Sequence, residues 1–338
     1  LPIVWAAPPP WWAERYPQEI ARFSDGKPWP YYRATPSFNS TPWHRDATQA
    51  MTAFVQHLEG TSFAGRVLGY WIVGGVSAEW QGWGCHGSAA DRHLMDYSAP
   101  EQAAFRAYLA KRWPDRPELA RAGIPALDDR LGRELGAFRD PAQALATIVY
   151  NRFYSESVTS CMLTCLRAAK QATGGRKIVG AYYGYSLEYA NMDWCLQMSG
   201  HNAVRLALDS PDIDFLSAPH SYAVRRLGGD MGWMWAAHSI NLAGKLFWPD
   251  DDSRTHLSGP CDYSPAVNPA QTREVLRRNF GKQLCHLNPV GFLQLESGRE
   301  LASGAIARDG RITRRVGEFA LAKRVRRQAE IAVVIDEE

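Results

Sequence analysis

The chain has 338 residues, 46% hydrophobic and 22% charged, and its 38 basic and 35 acidic residues leave a formal net charge of +3. This composition provides apolar material for a sizeable core and is unlike that of disordered chains. The near balance of charge argues against a nucleic-acid partner, and no apolar run reaches the roughly 18 to 20 residues that cross a bilayer, so no membrane partner is expected.

In chain order, the predicted elements alternate between apolar strands and amphipathic helices. The predicted strands are 1–5, 67–75, 177–183, 213–218, 245–248 and 292–295, and the predicted helices are 43–58, 141–173, 201–209, 233–243, 269–286 and 311–327. This alternation predicts an α/β fold with a parallel sheet. Polar residues after nearly every strand favour a (β/α)8 TIM barrel over a doubly wound sheet. The sequence contains no Gly-rich phosphate loop, so nothing in it supports nucleotide binding.

The predicted domain organisation is one barrel over 1–328 with a long insertion over about 84–140. Residues 329–338 are expected to start a following domain or tail, because 331–335 has the pattern of a further strand. Six scattered cysteines indicate neither a disulfide framework nor a zinc site, so the compartment stays open.

The first segment that carries chemistry is 69–84, where an apolar strand runs into glycines and then Glu79, which is followed by Trp80 and Trp83. A carboxyl group among indole rings loses solvation, which favours the protonated form that a general acid needs. We therefore predict Glu79 as a general acid. The alternative is an ordinary glutamate that pairs with an arginine.

The second segment is 244–256, where a strand ends in Asp250, Asp251 and Asp252, with Arg254 and His256 close behind. Adjacent acids are costly to gather unless cations or hydrogen bonds hold them, so one is expected to be ionised. An ionised carboxylate opposite a protonated one suffices to cleave a glycosidic bond. The alternative is a divalent metal on the three aspartates. The spacing is not that of a calcium loop, so no metal is predicted.

Supporting roles follow from position along the chain. His220 and Tyr222 follow a strand and are predicted to donate to the nucleophile or to a sugar hydroxyl, while Arg254 and His256 orient the acids. Glu296 is predicted as a third carboxylate, which would bind sugar hydroxyls. The predicted walls of the sugar subsites are Trp80, Trp83, Tyr182, Tyr183 and Tyr185, for which core packing is the alternative.

These motifs resemble a known family. The chain resembles (β/α)8 glycosidases, above all family 42 β-galactosidases and their uncharacterised relatives. The resemblance lies in Pro-x-Trp-Trp near the start, the strand ending in Glu79, Asp209–Leu216, and Gly-Lys-Leu-Phe-Trp followed by acids and Arg-Thr-His. The resemblance implies an acid/base after the fourth strand (Glu79) and a nucleophile after the seventh (Asp250, or Asp251 in a second register). It also implies a β-linked glycoside substrate, a retaining mechanism without a cofactor, a homotrimer, and two barrel strands that precede residue 1.

Two positions depart from the family pattern. Ala78 stands where the family has the asparagine that binds the sugar 2-hydroxyl, and aspartates stand where the family has a glutamate nucleophile. A shorter nucleophile would widen the gap between carboxylates and favour inversion, or would leave a barrel that only binds sugars. The two alternatives are therefore a non-catalytic carbohydrate-binding barrel and a metal-dependent enzyme that uses Asp250–Asp252.

Overall fold

The structure is a computed structural model. It describes residues 1–30, 34–85, 94–131, 139–190, 195–259, 265–292, 299, 301–323, 325–326 and 328–334. The chain divides into two compact units, Leu1–Phe215 and Leu216–Asp336. Each unit is an arrangement of parallel strands and helices.

The first unit is built on three parallel strands, β1 (Ile3–Trp5), β2 (Gly69–Val73) and β3 (Ile178–Tyr182), in that order across the sheet. All five residues of β2 are buried, as expected for a central strand that is covered on both faces. The predicted strands at these places are confirmed. At the far side of β3, Asp214 donates its backbone N–H to Val179, so the chain leaving this unit runs beside β3.

Helices cover these strands. They are α1 (Pro10–Arg15), α2 (Thr41–Glu59), α3 (Ala99–Arg112), α4 (Pro117–Ala122), α5 (Leu127–Leu131), α6 (Pro141–Ala172), α7 (Ser186–Tyr189), α8 (Cys195–Ser199) and α9 (Val204–Leu208). The long helices α2 and α6 pack against each other, and α2 buries one face through residues spaced four apart, including Ala47, Met51 and Val55. The predicted insertion contains α3, α4 and α5.

The second unit contains the end of β4 (Phe215–Ser217), then β5 (Leu246–Phe247), β6 (Asp250–Asp251) and β7 (Gly291–Phe292). The chain after β5 follows β4, because Trp248 donates to the Leu216 carbonyl. Strands β6 and β7 pair in parallel. The helices are α10 (Ala237–Leu242), α11 (Pro269–Cys285) and α12 (Gly304–Ala322), and α11 packs against α12.

Three predicted elements of this unit need correction. Helix α10 begins four residues later than predicted, because Trp233 instead forms a bridge with His220. Helix α12 begins seven residues earlier, at a cap where Ser303 accepts the N–H of Ala305. The strand predicted over 331–335 does not form at residues 331–334, which are exposed and have no neighbouring strand within the described part of the chain.

The alternating α/β order is thus confirmed, and closure into a (β/α)8 barrel stays a prediction. Among the described residues, no helix is long and apolar enough to cross a membrane.

Candidate active site

Glu79 lies on a strained loop that directly follows β2. Ser77, Ala78 and Trp80 have φ values of 54°, 66° and 55°, and Gly75 has a φ of 64°. Non-glycine residues rarely adopt this left-handed region, and each costs on the order of 1–3 kcal/mol unless the surroundings hold it. Three such residues in four positions around one carboxylate indicate a conformation that the rest of the fold imposes.

Trp80 anchors this loop. Its indole N–H donates to the Ile72 carbonyl at 3.0 Å, and its backbone N–H donates to Gly74 at 2.7 Å. The ring is buried and lies directly over Gly74, where a Cβ atom would stand 2.8 Å from it. In this conformation the Trp80 ring packs inside the first unit, and its predicted role as a subsite wall stays a prediction.

The carboxylate of Glu79 is held at both oxygens. Oε1 accepts the hydroxyl of Tyr185 at 2.9 Å, and Oε2 accepts the side-chain amide of Gln81 at 2.9 Å. Both donors are buried, and burial raises the pKa of Tyr185 well above its usual value, so its hydroxyl remains a donor at neutral pH. Glu79 itself is half-buried. The sequence pattern alone placed Tyr185 only as a possible ring wall.

His201, which sequence reasoning missed, lies behind the Glu79 loop. Its Nδ1 is 3.1 Å from the backbone nitrogens of both Gly184 and Tyr185, and its Nε2 is 3.1 Å from the Glu79 carbonyl oxygen. The ring is fully buried. Nothing near His201 in the sequence indicates this role, because its partners lie up to 122 positions away along the chain.

The other aromatic rings predicted as subsite walls also lie in the core. Trp83 donates its indole N–H to the Pro36 carbonyl at 2.8 Å and stacks on Phe38 with ring centroids 5.7 Å apart. The Tyr183 hydroxyl bonds Thr159 at 2.7 Å. Both side chains are buried, and so is Tyr182. Core packing, the alternative to sugar stacking, accounts for these rings in this conformation.

In the second unit, Asp252 is the centre of a buried ion-pair cluster. One oxygen pairs with Arg225, and the other accepts from Arg254 at 2.8 Å and from Tyr222 at 2.9 Å. The Arg225 guanidinium also stacks 4.0 Å from the centre of the Tyr222 ring. Burying three charges is costly unless they are mutually paired and hydrogen-bonded, and here they are. The predicted contact of Arg254 with the acids is present at Asp252.

Asp251 is held by helix α11. One of its oxygens accepts the side-chain amide of Asn279 at 2.9 Å, and the other accepts the backbone N–H of Ser253 at 3.1 Å. Burial is the largest influence on its pKa and raises it. The adjacent imidazole of His220 and the two donors together outweigh burial and lower the pKa to about 2. Asp251 is therefore ionised at neutral pH.

His220 and His256 also face α11. The side-chain amide of Gln283 lies 2.9 Å from His220 Nε2, and because an amide NH2 only donates, Nδ1 carries the ring proton and points toward Asp251, 3.7 Å away. His220 is buried and faces Asp251, and the prediction that it donates to the nucleophile or to a sugar hydroxyl stays a prediction. His256 is half-buried, and its Nδ1 lies 2.9 Å from the Thr272 hydroxyl.

Asp250 is the first residue of β6 and is buried. Its backbone N–H donates to the Ala218 carbonyl at 3.2 Å. Because side chains alternate along a strand, Asp250 and Asp251 belong to opposite faces of β6. Glu296 lies outside the described residues. In the part of the chain that the structure describes, no group of three or more His, Cys, Asp or Glu side chains is arranged to hold a metal ion.

Comparison with known proteins identifies the fold. No family model matches the chain, and no curated protein matches it. Among solved structures, it is similar to the catalytic domain of a β-amylase from Paenibacillus polymyxa, with a TM-score of 0.62 and 14% identity over 92% of this chain and 77% of that domain.

Two further similar structures are longer proteins. Gan42B, a GH42 β-galactosidase from G. stearothermophilus, has a TM-score of 0.59 and 11% identity over 99% of this chain and 49% of that one. The agarase AgWH50C has a TM-score of 0.55 and 12% identity over 96% and 45%. The chain thus spans about half the length of these two. Together these similarities show that the chain shares the α/β fold of these three structures.

Proposed function

We propose that the chain is a glycoside hydrolase that cleaves a β-linked, galactoside-like sugar with two carboxylates. Glu79 is the general acid/base, and Asp250 is the nucleophile. The observation that carries this proposal is the Glu79 carboxylate, held by Tyr185 and Gln81 on a strained loop at the end of a buried parallel strand. In barrels of this class, catalytic residues occupy that end of the strands. The fold shared with a β-amylase, β-galactosidases and an agarase supports it.

The chemistry assigns each contact a role. Glu79 protonates the leaving oxygen while Asp250 attacks the anomeric carbon, and the resulting glycosyl ester is hydrolysed by water that Glu79 deprotonates. When Glu79 gives up its proton, its carboxylate gains charge. Hydrogen bonds from Tyr185 and Gln81 stabilise that charge without rearrangement. No cofactor takes part.

Asp250 is the nucleophile in the preferred register of the family pattern. Asp252 already carries two guanidinium partners, so its negative charge is spread over a structural cluster. Asp251 faces α11 and remains the alternative nucleophile of the second register. Tyr222, Arg254, His256 and Glu296 stay candidates for contacts with the sugar, and self-association into a trimer stays a prediction that light scattering tests.

Hydrolysis of a panel of aryl β- and α-glycosides tests the proposal. We expect one β-glycoside to be cleaved, with retention of the anomeric configuration by NMR. Removing a group that reacts in the transition state should lower the rate on the order of 10²–10⁴-fold in Glu79→Gln and at least as much in Asp250→Asn. The matched controls Glu118→Gln and Asp209→Asn remove exposed carboxylates and should keep full activity. Full activity in Asp250→Asn with loss in Asp251→Asn would move the nucleophile to Asp251.

A second candidate is a carbohydrate-binding barrel without catalysis. It is favoured by the burial of all three acids, none of which is more than 5% exposed. Calorimetric titration with the sugars of the panel separates the two candidates. Binding by a folded protein that turns over none of the glycosides would establish this second function.

A further inference from the structure

We propose that His201 is a positioning residue that fixes the orientation of the Glu79 carboxylate by joining two loops through one neutral ring. The inference rests on the proposed function in so far as Glu79 is the acid/base. The contact itself is a property of the first unit alone.

The first step is to determine which nitrogen of the His201 ring carries the proton. Two backbone N–H groups, from Gly184 and Tyr185, approach Nδ1 at 3.1 Å each. Because a backbone N–H only donates, Nδ1 is unprotonated and accepts both bonds. The ring proton therefore sits on Nε2, where it donates to the Glu79 carbonyl oxygen at 3.1 Å. A charged or inverted ring would lose these bonds in a buried site, so one tautomer is selected.

The second step is the closed circuit that results. From the Glu79 carbonyl, the contacts run through the His201 ring to the Tyr185 N–H, and from the Tyr185 hydroxyl back to Glu79 Oε1 at 2.9 Å. The same two residues are thus tied together at both their main chains and their side chains. Neither loop can shift without breaking a bond in the circuit.

The third step is the packing that holds the ring in place. His201 lies among three tyrosines, with ring centroids 4.6 Å from Tyr183, 5.0 Å from Tyr185 and 6.3 Å from Tyr189. The strained loop that carries Glu79 is closed by a bridge between Val76 and Gln81, and the buried His201 ring adds a rigid partner at the Glu79 carbonyl.

The test uses aryl β-glycosides that differ only in leaving-group acidity. A dinitrophenolate leaves without a proton, whereas a phenolate or an alkoxide needs the general acid. If His201 positions Glu79, His201→Asn and His201→Gln should lower kcat/KM for poor leaving groups about 10- to 100-fold and change it little for the dinitrophenyl glycoside. The control His57→Asn changes an exposed histidine and should behave as wild type.

The outcomes separate the two proposals. In Glu79→Gln, kcat/KM should depend strongly on the acidity of the leaving group. If His201→Asn and His201→Gln show no such dependence, the role of His201 is overturned. A purely structural role for His201 would lower kcat/KM equally for every leaving group, which would overturn it as well.

If the wild-type protein cleaves no glycoside, the proposed function fails and the circuit is judged by NMR. A single Nε2–H tautomer of His201, together with a Tyr185 amide whose hydrogen exchange is slow in wild type and fast in His201→Gln, supports the inference. Averaged tautomers or an unprotected amide would overturn it.

Discussion

At the scale of single residues, the Trp80 ring packs closely against Gly74 at the start of the Glu79 loop. A methyl group at residue 74 would lie 2.8 Å from the ring, so Gly74→Ala must displace Trp80 and its hydrogen bond to Ile72. We expect a loss of about 1–3 kcal/mol in the free energy of unfolding, measured by urea denaturation. Gly65→Ala is the control, because no atom lies within 4 Å of the added methyl group. Equal effects at both positions would contradict this packing.

Glu101 is a buried residue whose protonation state follows from its hydrogen bonds. The Tyr150 hydroxyl is 2.9 Å from the Asp96 carbonyl and 3.1 Å from Glu101 Oε1, and one hydroxyl proton cannot serve both acceptors. A protonated Glu101 donating to Tyr150 satisfies both contacts. Burial, reinforced by the charge of Asp96, raises the pKa of Glu101 from 4.5 to about 8.

The raised pKa predicts a loss of stability on the alkaline side. Between pH 4.5 and about 8 the unfolded chain has lost this proton while the folded chain retains it, so the free energy of unfolding falls as pH rises. The slope is about 1.4 kcal/mol per pH unit for one group. Glu101→Gln keeps a donor toward Tyr150 and should remove that share of the slope. Urea denaturation across this range checks it, and an unchanged slope in the variant would contradict a protonated Glu101.

Mutation of a carboxylate in the Asp252 cluster should lower the free energy of unfolding more than mutation of an exposed carboxylate. Asp252→Asn leaves Arg225 and Arg254 buried without their carboxylate, and we expect it to cost about 3–5 kcal/mol of unfolding free energy. Asp209→Asn removes the partner of an exposed arginine and should cost less than about 1 kcal/mol. Thermal and urea unfolding measure both. A cost for Asp252→Asn as small as that of its control would mean that the cluster is solvated.

At the scale of elements, helix α11 has a polar stripe on its buried face. Thr272, Asn279 and Gln283 are buried there and contact His256, Asp251 and His220 in turn. Apolar residues usually fill such positions. The helix therefore acts as a supporting layer for the acidic strand end, and both His220 and His256 contact it.

This layer gives a prediction for acid conditions. The pKa of Asp251 is depressed from 3.8 to about 2, so it contributes stability that is present above pH 4 and is lost as pH falls toward 2. Asn279→Leu removes one donor, which brings that pKa closer to its unfolded value. At neutral pH the free energy of unfolding of the variant should be lower by roughly 1–3 kcal/mol. Between pH 4 and 2 that free energy should fall less steeply than in the wild type. The control Glu274→Leu changes an exposed residue of α11 and should keep the steep fall.

Sequence patterns predicted helices α2, α6 and α11 within a few residues because their ends carry local signals. Ser40, Asp140 and Asn268 cap α2, α6 and α11, and a proline follows each cap. Glu79 and the aspartates were also found from local pattern. His201 and the burial of Trp80 were not, because both depend on contacts between segments distant in sequence, which no local periodicity encodes.

At the scale of the whole molecule, the rings predicted as subsite walls belong to a wider set of buried aromatic side chains. The chain has 13 tryptophans and 14 tyrosines, and those predicted as subsite walls had core packing as their alternative. Among the largest fully buried side chains, however, are Trp12, Trp80, Trp235, Tyr183 and Tyr185. These five rings lie in cores, and the N–H of Trp80 and the O–H of Tyr185 bond a backbone carbonyl and a carboxylate.

The cysteines offer a way to observe the supporting helix directly. Of those whose side chains the structure describes, Cys85, Cys161 and Cys165 are buried, and burial raises the pKa of Cys165 to about 12, whereas Cys285 is exposed at the end of α11. A thiol-reactive fluorophore should therefore attach to Cys285 ahead of these three. It would sit two residues from Gln283, so its emission would report any movement of α11 when a sugar is added.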